Sequence, residues 1–348
     1  MTGQLHLRPR VERGSQEPAG QRTLRVAVIG MGQIGTRHLE ILGRIDAVRP
    51  VAVSRRPERL KELAAAGREV AGLNGLGGAG ATLGIVASDT GRHAEDALAA
   101  IAQGLDLLVE KPLAVTAPEA ARVRDAAAKA GRRLFVGCVL RCAESLTTFR
   151  RLLADIGTLH AVRIDCHSYL PEWRPDRPYR ETYSARAGEG GVLHDLIHEI
   201  DYAGWIFGWP SALQARLNNW GRLGIAAEES AELNWELAGG GIVSVNLDYL
   251  SRPPYRRMRA YGEDGSLEWD GISGTVTLQR PDAPRRVIAS SQTREALFLA
   301  QTRAFLAACC EGAPSPLASG DEGCRAVSVC DAARQASRTR CETRVEYL

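Results

Sequence analysis

Lysine is scarce in this sequence. Only three of its 44 basic residues are lysines, Lys61, Lys111 and Lys129. Arginine is the default cation, so a lysine at a special point of the chain stands out. Excess charge is also missing. The formal net charge is +3, and residues 1–25 alone supply that much, with Arg8, Arg10, Arg13, Arg22 and Arg25 against Glu12 and Glu17. The body is therefore neutral and lacks the basic bias of a nucleic-acid-binding domain. No apolar run approaches the about 20 residues that a membrane-spanning helix needs. The longest, LRVAVIG and LDLLV, are strand-length. Eight cysteines are present without a CxxC pair, which removes zinc-ribbon and thioredoxin-like readings. No apolar signal-like stretch opens the chain, so a cytoplasmic protein with reduced thiols is expected. Residues 1–22 are polar, rich in Arg, Gly and Pro, and aperiodic, which reads as a disordered leader.

The remainder has ordinary globular composition, 45% hydrophobic and 24% charged over 348 residues, enough for about two domains. Between residues 23 and 141 strand and helix alternate. Short apolar runs at 24–29, 49–53, 83–87, 105–109 and 134–136 read as buried parallel strands. Helical spacing fills 34–44, 57–66, 93–103 and 117–130, and Gly131 stands where a helix C-cap belongs. This pattern predicts a Rossmann, doubly wound parallel sheet. From 142 to 348 the pattern changes. Helices are expected at 145–155, 192–206, 293–310 and 321–337. Strands are expected at 159–168, 212–219, 230–236, 241–250, 256–260, 266–269 and 274–279, with turns at AGGG (238–241) and GEDG (262–265). That predicts an α+β domain on a mostly antiparallel open sheet, with C-terminal helices able to pack back on the first domain.

The first chemical motif is Gly30-Met31-Gly32-Gln33-Ile34-Gly35, a G-x-G-x-x-G between a strand and a helix. In that context Gly30 permits the tight turn, Gly32 lets backbone approach a pyrophosphate, and Gly35 lets helix pack on strand. The second strand ends in Ser54-Arg55-Arg56, without the acid that usually takes the ribose hydroxyls of NAD. A hydroxyl and two arginines there favour NADP over NAD. The run LLVEKPL puts Glu110 and Lys111 at the carboxyl end of a strand, where α/β sheets hold ligands. In GGVLHDLIHEID, Asp195 lies three residues before His198, a spacing that shares a helical face and suits acid–base work. His194 and His198 lie four apart, but HDLIH lacks the Glu of HExxH, so no metal is expected. Aromatics beside arginines at 170–183, among them Trp173, Arg174 and Tyr179, suit a sugar and an attached anion. Arg141 follows the last strand of the first domain and is expected to face the same cleft.

These segments together resemble the Gfo/Idh/MocA oxidoreductases over residues 24–348. The resemblance is carried by GMGQIGTRH, by VASDTGRHAEDALAAIAQGLDLLVEKPLA and by GGVLHDLIHEIDYAGWIFG. It implies that Lys111 meets substrate and nicotinamide, that His198 is the catalytic acid/base, and that an aspartate one turn earlier positions the reacting hydroxyl. Many members place that aspartate four residues before the histidine, where this chain has His194; Asp195 takes the role here. One branch, often encoded with surface-sugar genes, is similar in this spacing and in YLPEWRPDRPYRETYSA (169–185). Ser88-Asp89 replaces the small-residue/Pro pair usual at its bend.

The candidate cofactor contacts are thus Gly30, Gly32, Gln33, Ile34, Gly35, Ser54, Arg55, Arg56, Ser88, His93, Glu110 and Lys111. The catalytic candidates are Lys111, His198 and Asp195. The substrate candidates are Arg141, Trp173, Arg174, Tyr179 and His194. The implied activity is NAD(P)-dependent hydride transfer to or from a secondary alcohol or ketone of a sugar, sugar nucleotide or cyclitol, by a homodimer or homotetramer. There are two rivals, the first on the same scaffold and the second from another class of protein. One is an enzyme that recycles a bound cofactor for epimerisation, isomerisation or glycosidic cleavage. The other is a non-catalytic NADP sensor, which would have no use for both Lys111 and His198.

Overall fold

The computed structural model describes residues 23–175 and 177–348. The expected leader, 1–22, lies outside them. The first half runs β1 (Leu24–Ile29), α1 (Gln33–Leu42), β2 (Val48–Val53), α2 (Pro57–Ala65), β3 (Glu69–Ala71), β4 (Leu83–Val86), α3 (His93–Ala102), β5 (Asp106–Val109), α4 (Ala117–Lys129) and β6 (Leu134–Val136). The second runs α5 (Glu144–Leu152), β7 (Leu159–Tyr169), α6 (Val192–Asp195), α7 (Ile197–Phe207), β8 (Ala212–Asn218), β9 (Ser230–Glu236), β10 (Ile242–Asp248), β11 (Leu250–Gly262), β12 (Gly265–Asp270), β13 (Thr275–Arg280), β14 (Ala283–Ala289), α8 (Arg294–Glu311), β15 (Ala318–Ser319), α9 (Gly320–Thr339) and β16 (Thr343–Arg344).

Strands β1 to β6 pair in parallel in the order β6-β5-β4-β1-β2-β3, as a doubly wound sheet requires. Their central residues, such as Val26–Val28 and Leu107–Val109, are fully buried, which is why each strand is a continuous apolar run. The chain returns to this sheet at its end, where β15 pairs antiparallel with β6 through Ala318 and Val136. Helix α8 packs on α1, and α9 packs on α4, α7 and β8, so the C-terminal helices bridge both halves.

The second sheet has the order β14-β13-β12-β11-β7-β10-β9-β8-β16. Its pairings are antiparallel except for β10 on β7. GEDG closes the β11–β12 hairpin, and AGGG joins β9 to β10. One face is core. Trp269 on β12 is buried there, bonded from its Nε1 to Ser145 Oγ at 2.9 Å and edge-on to Tyr202 at 5.5 Å, which locks α5 and α7 onto the sheet. Burying such a side chain stabilises the fold by about 2–3 kcal/mol. The opposite face exposes polar side chains, including Arg163, Glu232, Asn234 and Arg259.

Two expected elements differ. The helix expected at 192–206 breaks at Leu196 (φ −101°, ψ 28°) into α6 and α7. The strand expected at 256–260 extends back to Leu250, through Pro253 and Pro254, because a register shift between Leu250 and Tyr255 removes the need for their missing N–H groups.

Candidate active site

The turn after β1 is built by its glycines. Gly30 has φ +97°, and a Cβ there would lie 2.4 Å from the Ser88 nitrogen. A Cβ on Gly35 would lie 1.8 Å from the Gly30 oxygen, so only glycine lets α1 meet β1. Gly32 differs: a Cβ there meets nothing within 4 Å. Its surroundings are open, beside a helix N-terminus with no side-chain cap and no acid in its first turn. The unspent N–H groups and the positive helix end fit a dinucleotide's pyrophosphate.

The bend after β4 forms the next wall. Ser88 Oγ is buried without a partner, which leaves it a hydrogen bond to give. His93 is buried, its ring nitrogens 2.9 Å from the Ser88 oxygen and 2.7 Å from the Pro112 oxygen, so it braces this bend against the EKP turn. Glu110 turns to His38 on α1, with Oε1 2.8 Å from Nε2, rather than to its neighbour Lys111.

Lys111 reaches across to the second half and donates to the backbone oxygen of Asp195 at 2.6 Å. Asp195, Leu196 and His198 line the same cleft of about 760 Å³, together with Lys111 and Trp173. The Asp195 carboxylate accepts from the Tyr249 hydroxyl at 2.6 Å through Oδ2, while its Oδ1 is buried without a partner. Burial, and then the Asp195 charge, hold the Tyr249 hydroxyl well above its ordinary pKa, so it stays a donor. His198 Nδ1 is likewise buried and unpartnered. Burial, then the charges of Lys111 and Arg256, push the His198 pKa well below its ordinary value. A neutral imidazole is the form that accepts a proton. The unspent capacity at Asp195 and His198 is what a bound hydroxyl would satisfy.

Several expected contacts lie elsewhere. Arg141 is buried between Asp201, bonded at 2.7 and 2.9 Å, and Glu322, at 2.7 Å, so its guanidinium ties the start of α5 to α7 and α9 and does not reach the cleft. His194 is fully buried. It faces the Glu189 oxygen through Nδ1 at 3.0 Å and accepts from Arg334 through Nε2 at 2.9 Å, so both nitrogens are spent on structure. Burial and the Arg334 charge push its pKa down to about 3. Arg174 lies over the Tyr183 ring at 5.6 Å, and the Tyr179 hydroxyl donates to the Leu223 oxygen at 2.9 Å, so both brace the 170–183 segment from behind. Of that segment's candidates, Trp173 lines the cleft, edge-on to Tyr249 at 5.4 Å. Arg55 is drawn to Asp96 at 2.7 Å and Glu95 at 2.9 Å, an attraction an isolated reading of β2 could not foresee. Arg56 stays exposed, its backbone N–H bonded to Ser54 Oγ at 3.1 Å.

Tyr249, Arg256 and Glu199 were not evident from the sequence. Glu199 is fully buried and accepts from Arg256 Nε at 2.7 Å. A signal existed for Arg256: it is in period-two phase with Met258 and Ala260, so it belongs to the core-facing side of β11. Tyr249 sits between β10 and β11 and gives no such sign.

A pyrophosphate cradle on one wall and a lysine and neutral histidine on another belong together in one class of protein, the NAD-binding oxidoreductases. Residues 24–138 match the family model described as oxidoreductase family, NAD-binding Rossmann fold, and residues 147–268 match the GFO/IDH/MocA C-terminal domain. The chain is 30% identical over 265 residues to inositol 2-dehydrogenase of Streptomyces avermitilis, across 70% of this chain and 71% of that protein. It is 27% identical over 243 residues to 1,5-anhydro-D-fructose reductase of Ensifer adhaerens, across 66% of this chain and 70% of that protein. Levoglucosan dehydrogenase in complex with NADH superposes with a TM-score of 0.83 at 19% identity, covering 93% of this chain and 100% of that one, which shows the shared fold. The chain belongs to the Gfo/Idh/MocA oxidoreductases.

Proposed function

We propose that this oxidoreductase interconverts a secondary alcohol and a ketone on a sugar, sugar nucleotide or cyclitol, with His198 as acid/base. The carrying observation is that His198 and Lys111, from different halves of the chain, line one cleft beside the glycine turn. The residues named on the glycine turn, at Ser88 and at Glu110 would hold the dinucleotide, which when bound supplies the hydride acceptor or donor. In the oxidative direction neutral His198 takes the hydroxyl proton. The Lys111 ammonium, fixed by the Asp195 carbonyl, stabilises negative charge gathering on that oxygen. Asp195, held by Tyr249, orients the hydroxyl through its unspent Oδ1. NADP is the favoured cofactor, because β2 ends without a carboxylate; Arg56, rather than Arg55, is then the cation for the 2′-phosphate. The exposed face of the nine-stranded sheet suits pairing of subunits in a cytoplasmic homo-oligomer. Among the described residues no helix is long and apolar enough to cross a membrane.

The test is a His198→Ala variant assayed with a panel of cyclitols, sugars and sugar nucleotides. NADPH affinity should persist while turnover falls by about 10²–10⁴, the range for one acid/base group. Near-normal turnover would remove His198 from the chemistry.

A further inference from the structure

Two arginines from distant parts of the chain flank Phe298, and a third lines the same cleft. Arg294 opens α8, one turn before Phe298, and both residues line the cleft. Arg37 on α1 lies over the Phe298 ring at 4.9 Å. Arg256 lines the same cleft from β11. Arg256 is ion-paired through its Nε with the buried Glu199. The other two charges are uncompensated: among the described residues neither Arg37 nor Arg294 has an ion-pair partner, and Arg37 Nη1 is buried without any hydrogen bond. Burial, then repulsion from Arg37 and Arg256, lowers the Arg294 pKa. The acids that line the cleft are committed elsewhere, Glu110 to His38, Asp195 to Tyr249 and Glu172 to Arg252. Like charges gathered along one cleft repel, and an anion bound among them relieves that repulsion.

We propose that Arg37, Arg256 and Arg294 form a subsite for an anionic group of the substrate, a phosphate, diphosphate or carboxylate attached to the sugar or cyclitol. This rests on the oxidoreductase reading and narrows its substrate class. Guanidinium forks match such oxyanions in geometry as well as charge. The cofactor's own phosphates have other seats, at the Gly32 turn and beyond β2. Arg256, by contrast, is bonded to Glu199, the residue next to His198, so it stands at the reacting end of the cleft.

The experiment is calorimetric titration of inorganic pyrophosphate into the protein saturated with NADH, with Arg294→Gln and Arg37→Gln variants in parallel. Arg294 is exposed, so its variant should fold, and Arg37→Gln provides an independent check from another helix. Pyrophosphate is expected to bind the NADH-loaded parent and to lose roughly ten-fold or more in affinity in each variant, the effect of one charged hydrogen bond. Binding to the cofactor-free protein alone, abolished by NADH, would assign the arginines to the dinucleotide and overturn the subsite. Normal NADH binding with no pyrophosphate binding would also overturn it and leave the oxidoreductase reading intact. Failure to bind NADH would undo that reading itself.

Discussion

Lys111 and Asp195 are joined across the cleft by a 2.6 Å hydrogen bond from the lysine ammonium to the aspartate's backbone oxygen, not to its carboxylate. The bond does three things. It ties the end of β5 to α6, and it leaves the Asp195 carboxylate to Tyr249 and a ligand. It also fixes a cation near His198. Burial is the main cause of the low His198 pKa, and Lys111 is the next. In Lys111→Met that contribution vanishes and the His198 pKa rises. The acid limb of kcat/KM for alcohol oxidation, set by protonation of the base, should therefore move to higher pH, and kcat should fall with the lost oxyanion partner. An unmoved acid limb would separate Lys111 from His198.

Gly32 and Gly35 make opposite predictions although both belong to one motif. At Gly32 a methyl group meets no protein atom and φ is −81°, so Gly32→Ala should fold, with a thermal midpoint within about 3 °C of the parent. The methyl would occupy the space that fits the pyrophosphate, so NADPH affinity should fall at least ten-fold. At Gly35 the methyl collides with the Gly30 oxygen, and Gly35→Ala should lower stability outright. Unchanged cofactor affinity in Gly32→Ala would move the dinucleotide away from this turn.

The first sheet was legible because buried parallel strands are continuous apolar runs and their helices carry 3.6-residue spacing. The three-residue β3 and the two-residue β15 and β16 were too short to show any period. Strand β14, APRRVIA, is largely exposed and so has no apolar alternation to read. At the site, Lys111, Asp195 and His198 stood out because polar residues interrupted apolar segments at strand and helix ends. Arg141 and His194 stood out for the same reason, and Arg174 and Tyr179 because aromatics lie beside arginines at 170–183, yet the structure spends them on internal partners. Polarity in an apolar segment signals a buried polar group, and only the fold tells whether its partner is protein or ligand.

His194 offers a test of that structural role through acid stability. Its folded pKa is about 3, below the roughly 6.5 expected when unfolded. Between those values the unfolded chain binds a proton that the native chain refuses, so stability rises with pH and is lost as pH falls below about 6.5. Linkage gives about 1.4 kcal/mol per pH unit for one such group. Denaturant midpoints followed from pH 6.5 to 5 should show this slope, and His194→Asn should make it shallower by about one proton. Equal slopes would mean that His194 titrates alike in both states.

Cofactor choice turns on the two arginines that end β2. Arg55 is held by Asp96, which is buried, and by Glu95, and the bond to Asp96 is the main reason its pKa is raised. Reaching a 2′-phosphate would require breaking both contacts. Arg56 has no such partner among the described residues and is exposed beside Ser54. Arg56→Ala should therefore weaken NADPH by roughly ten-fold, the effect of one charged hydrogen bond, and leave NADH nearly unchanged. Arg55→Ala should affect both cofactors alike, through the freed acids beside the pocket. Fluorescence titration of each variant with both cofactors separates the cases. A parent protein that binds NADH and NADPH equally would sink the preference, and a gap narrowed only by Arg55→Ala would return the phosphate to Arg55.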